Sequence, residues 1–96
     1  MLGSWPSLRA QTADGEASRH IKMAVKPEYP DLAKRMNLSG TVKVEVVIAP
    51  NGRVKRARVV GGHPLLGIEA EKAALATIFE AAPQETTQII EYHFSA

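Results

Sequence analysis

His20, His63 and His93 are the side chains best suited to proton transfer or to holding a metal near neutral pH. A zinc site needs three or four ligands that converge on one point. None of these histidines is followed at i+3 or i+4 by a second histidine or a carboxylate. Each therefore reads as an ordinary surface histidine. Ser39 precedes Gly40 but lies outside the GxSxG arrangement that exposes a nucleophilic serine. Glu69, Glu71 and Glu80 read as solvated carboxylates on a helix. Gly61-Gly62 lacks the spacing of a phosphate-cradling loop and reads as a turn. No nucleophile stands beside a base, and no cofactor motif is present. The pattern points to binding, not catalysis.

Lys43, Arg53, Lys55, Arg56 and Arg58 gather on or near one hairpin. Such a cluster can neutralise phosphates. The hairpin carries no aromatic residue on which a base could stack. A solvated outer face that blunts a strand edge explains the cluster better.

The elements that must position these residues follow from periodicity and breakers. Residues 1–26 read as a flexible N-terminal tail ending in a short strand pattern at 20–26, where Ile21, Met23 and Val25 alternate with Lys22 and Ala24. Trp5 falls in this tail. Pro30 suits the first helical position, Asp31 the first turn and Asn37 a left-handed cap. Thr41–Ala49 alternates strongly, with Val42, Val44, Val46 and Ile48 on one face. Pro50-Asn51-Gly52-Arg53 signals a hairpin. The returning strand, 54–60, cannot put Val54, Ala57 and Val59 on one face by strict alternation, which predicts a bulge near Lys55–Arg56. Leu65–Ala82 is predicted as a helix whose apolar face is Ile68, Leu75, Ile78, Phe79 and Ala82. Thr87–Phe94 closes the chain as a strand.

This order predicts an α+β fold: a short helix, then β-β-α-β, with a three-stranded antiparallel sheet in order 2-1-3. One long helix packs on one face. The last strand is then an exposed edge without proline, a candidate for accepting a partner's strand. Ile21, Met23 and Val25 are expected to pair with that edge in the same chain or in a second copy.

Composition sets bounds. The chain has 96 residues, 45% of them apolar, but 14 are alanine, so the core is small. Cysteine is absent, which excludes disulfides and thiolate metal sites. No apolar run approaches the ~20 residues of a membrane-spanning helix. A net charge of +2 is too small to argue for nucleic acid.

Five motifs in order resemble the TonB C-terminal domain family. Tyr29-Pro30-Asp31-Leu32-Ala33 resembles its opening YPxxA, Gly40-Thr41-Val42-Lys43-Val44 its GxVxV strand, and Pro50-Asn51-Gly52-Arg53-Val54 its pxGxV hairpin. The alanine-rich helix with Phe79-x-Ala81-x-Pro83 is similar to its WxFxP helix end, with Phe79 in place of Trp and Ala81 in place of Phe. The last motif is the strand ending at Phe94. The resemblance covers Pro27 to Phe94 and makes residues 27–96 the domain.

It implies a non-enzymatic periplasmic binding module without cofactor or metal. Its partner would be a TonB-dependent outer-membrane transporter, whose TonB box adds as a strand to support energy-coupled uptake. Carried over, the partner-binding residues are Gln88, Ile89, Ile90, Glu91, Tyr92, His93 and Phe94, with Pro27, Tyr29 and Pro30 close by. A force-transmitting member also needs an inner-membrane anchor. The chain is accordingly expected to be either the receptor-binding end of a longer anchored protein or a secreted relative. An envelope adaptor of the same fold with another partner, as a monomer or a homodimer, is the alternative, followed by nucleic-acid binding through the basic hairpin.

Overall fold

A computed structural model of the chain describes residues 18–95. The segment 1–17, read above as tail, and residue 96 lie outside the described residues. The elements run β1 (Ile21–Met23), α1 (Asp31–Arg35), β2 (Gly40–Ile48), β3 (Val54–Gly61), α2 (Pro64–Ala76), β4 (Ile78–Phe79) and β5 (Thr86–Phe94). Three strands form an antiparallel sheet in the order β3-β2-β5, as the pattern predicts.

Alternation sorts the sheet's two faces. Val42, Val44, Val46 and Ile48 of β2 are wholly buried, and Ile90, Tyr92 and Phe94 of β5 are buried on the same side. The hairpin between β2 and β3 places Gly52 at φ +95, where glycine carries no steric penalty. Gly52 donates to the Ala49 carbonyl, and Ala49 donates to the Arg53 carbonyl at 2.8 Å. The predicted bulge is present. Val47 pairs with Arg56 and Ile48 with Val54, so Lys55 is the extra residue. A second irregularity, between Lys43 and Val44, leaves Val60 extra. The first bulge lets Val54, Ala57 and Val59 all pack against the core.

Asn37 takes the left-handed conformation at φ 58 after α1. Pro30 sits one position earlier than predicted, at the cap of α1 and not inside it.

The long helix differs from expectation in length and in face. It ends at Ala76, where Thr77 turns extended at ψ 142 and its hydroxyl donates to the Ala73 carbonyl. Phe79 and Glu80 do not continue the helical ladder. Their N–H groups donate to the carbonyls of Gly52 and His20. The buried face is Leu66, Gly67, Ala70, Ala73 and Ala74, while Ile68 and Leu75 are exposed. Volume explains the reversal. The sheet fills the interlayer space with branched side chains, so that apart from Leu66 the helix buries only Gly and Ala. At Gly67 an added Cβ would lie 3.3 Å from Val59. Phe79 is buried, as predicted, but from the two-residue strand β4 and not from the helix.

The N-terminal strand also differs. β1 pairs antiparallel with β4, Ile21 opposite Phe79 and Met23 opposite Ile78. It does not pair with β5 of the same chain. Arg19 holds this segment in place. Its buried guanidinium donates to four backbone carbonyls, those of Ile48, Ala49, Glu80 and Gln84. Its own backbone exchanges hydrogen bonds with the side-chain amide of Gln88. No carboxylate pairs with the guanidinium among the described residues, so carbonyl dipoles alone offset its desolvation.

Two predictions follow from this packing. Gly52→Ala should cost on the order of 3 kcal/mol, because its Cβ would fall 2.0 Å from the Phe79 carbonyl oxygen, whereas Gly61→Ala, in ordinary contact, should change stability by less than ~0.5 kcal/mol. Arg19→Ala should also cost on the order of 3 kcal/mol in chemical denaturation. Arg19→Lys should recover little of it, since a single ammonium cannot reach four carbonyls; full recovery would show that charge alone matters.

Candidate functional site

The two edges of the main sheet are built differently. β3 carries two bulges and Lys55, Arg56 and Arg58, devices that discourage further pairing. β5 is nine residues long, pairs with β2 in unbroken register from Thr86 to Phe94, and contains no proline. Among the described residues no strand lies on its other side.

The direction of each backbone group follows from the hairpin. Ala49 turns both its N–H and its carbonyl toward the β3 side. Antiparallel ladders alternate, so the odd residues of β2 face β3 and the even ones face β5. Both bulges lie opposite odd residues, Val47 and Lys43, where a bulge beside a hydrogen-bonding position belongs. On β5, Gln88, Ile90 and Tyr92 therefore bond to their partners Val46, Val44 and Val42. Thr87, Ile89, Glu91 and His93 direct their N–H and carbonyl groups outward.

Side chains divide the same way. Gln88, Ile90, Tyr92 and Phe94 point into the core, and Gln88 is occupied by Arg19. Ile89, Glu91 and His93 lie on the opposite face. Glu91 stands 3.9 Å from Lys43, and His93 Nδ1 is 2.9 Å from the Thr41 hydroxyl. Burial pushes the Tyr92 phenol above its ordinary pKa, with the Thr77 hydroxyl pulling in the opposite direction.

Tyr29 packs edge-on against Phe94, with ring centroids 5.9 Å apart. Its hydroxyl donates to the Leu38 carbonyl, and Lys34 lies over its ring. Tyr29 thus fixes the end of β5 against the turn after α1. Pro30, the N-cap of α1, follows it in the chain. Pro27 lies farther along, in a shallow groove against Glu69, Lys72 and Ala73 of α2. Tyr29, Pro30 and the end of β5 are brought together, while Pro27 belongs to the helix flank. Thr87 joins the outward-facing backbone set and was missed. Its signal was present, since it continues the alternation of β5 by one step.

His63 serves the fold. Its Nδ1 accepts from the Leu65 N–H and caps α2. Among the described residues no three His, Asp or Glu side chains gather as metal ligands. The basic cluster is largely paired. Arg58 contacts Glu45 at 3.0 Å, Lys55 contacts Glu85 at 2.7 Å, and Lys43 faces Glu91. Hydrogen bonding to Lys55 holds the Glu85 carboxyl below its usual range. Paired cations have fewer charges to offer phosphates. No helix among the described residues is long and apolar enough to cross a membrane.

Comparison with known proteins agrees with this fold. The sequence model of the Gram-negative bacterial TonB protein C-terminal family matches residues 25–95. The fold is similar to the solution NMR structure of the Pseudomonas aeruginosa TonB CTD, with a TM-score of 0.65 at 20% identity, over 85% of this chain and 90% of that one. No curated protein matches. The chain belongs to the TonB C-terminal domain family.

Proposed function

We propose that this TonB-family domain is a periplasmic protein-binding module that takes the TonB box of an outer-membrane transporter as an added strand on β5, in support of energy-coupled uptake. The observation that carries this reading is the edge itself. Four successive outward sets of backbone donors and acceptors, at Thr87, Ile89, Glu91 and His93, have no strand partner among the described residues. An extended segment can satisfy them through its own main chain, with affinity from backbone bonds and selectivity from alternate side chains. The contrast with the bulged, cationic β3 edge supports the choice of β5. The role is non-catalytic.

Proline substitution tests the edge directly, because it removes one backbone donor. Ile89→Pro and Glu91→Pro remove outward donors and spare the β2 ladder. Each should leave the protein folded and weaken TonB-box peptide binding roughly tenfold or more. Ile90→Pro removes a donor to β2 and should destabilise the sheet. Titration of the folded variants with a panel of TonB-box peptides gives the readout. Unchanged affinity in both outward variants, or no binding by any peptide to the parent protein, would refute strand addition at β5.

A further inference from the structure

The outer face of the sheet is ordered in charge from strand to strand. One row runs Arg58 of β3, Glu45 of β2, then Ile89 of β5. The next runs from Lys43 of β2 to Glu91 of β5. Opposite charges directly across strands stabilise a sheet, and like charges there destabilise it. The first row closes with its charges matched, because Arg58 and Glu45 are 3.0 Å apart. The second row ends at the open edge on a carboxylate.

Glu91 is the less exposed partner of its pair. Its side chain is 19% exposed, against 56% for Lys43, and the two approach only to 3.9 Å. Lys43 reaches Glu91 from the β2 side alone. The Glu91 backbone faces the open edge, so a strand added there lies directly beside this carboxylate and takes more water from it. A carboxylate losing water needs a donor or a cation in exchange.

We infer that Glu91 selects the charge of the strand that docks on β5: the occupant carries Lys or Arg at the outward position beside Glu91, and an acidic residue there is rejected. An apolar or small residue beside Ile89 completes the match. β5 itself contains no Lys or Arg, so a second copy of this strand lacks the required group. The preference also runs against the net charge of +2, which on its own would favour acidic peptides. The inference deepens the strand-addition reading and rests on it.

The test uses a TonB-box peptide that binds the parent domain. Each residue of that peptide in turn is replaced by Lys, Ala or Glu. At one position Lys should bind about fivefold more tightly than Glu, with Ala between, as a directly opposed cross-strand pair and its like-charge counterpart dictate. Glu91→Gln should abolish that difference and Glu91→Lys should invert it. Lys43→Ala should enlarge it, by removing the competing cation. Glu69→Gln makes the same change in net charge as Glu91→Gln, but on α2, and should leave the preference intact. If peptides bind but no position shows a Lys preference that depends on Glu91, the inference is wrong while strand addition stands. If no peptide binds the parent domain, the strand-addition reading fails and takes this inference with it.

Discussion

Backbone groups in a β-sheet must find partners, and among the described residues β5 has a strand partner on one side only. Most of the structure can be understood from that asymmetry. β2 satisfies the inward set of β5, fixes its register over nine residue pairs, and places its apolar side chains in the core. The remaining set forms an ordered, unbulged row with no strand partner among the described residues. A sheet of this size could shield such a row with a bulge, a proline or a lysine, and it does all but the proline at β3. Leaving one edge regular while the other is blunted is what marks β5 as a surface for association.

The chain carries a strand that could have filled the edge, and it is committed elsewhere. β1 pairs with β4, and Arg19 fastens that arrangement to the hairpin, to the segment after β4, and to Gln88 of β5 itself. The clamp acts from the core side, through a side chain on the buried face of β5. It therefore ties the N-terminal segment to β5 without consuming the outward backbone groups. Gly52 reinforces the arrangement by allowing the Phe79 backbone to close on the hairpin.

Much of this was legible in the residues. The alternation from Val42 to Ile48, the Pro-Asn-Gly turn and the slipped pattern at Val54, Ala57 and Val59 fix two strands, the hairpin between them and a bulge, and the order of elements with the crossover rule gives the strand order. The helix was misread because its apolar face was weighed by residue size. Leu66, Gly67, Ala70, Ala73 and Ala74 stand at i, i+1, i+4, i+7 and i+8, which is a core stripe, but one of small residues apart from Leu66. The helix end was invisible locally, since the N–H groups of Phe79 and Glu80 are claimed by Gly52 and His20, far away in sequence. Arg19 left no signal at all, being one cation in an aperiodic stretch whose partners are backbone carbonyls. At the edge, the alternation of side chains was readable. The direction of the backbone groups became readable only once the hairpin geometry at Ala49 was known.

Residue-resolved amide hydrogen exchange tests the central claim most directly. In the domain alone, Gln88, Ile90 and Tyr92 should exchange slowly, and Thr87, Ile89, Glu91 and His93 quickly, because only the first set is bonded to β2. Adding a partner strand should slow the second set and leave the first nearly unchanged. Uniform protection along β5 in the free domain, or no slowing of the odd-numbered amides when a partner binds, would contradict the account.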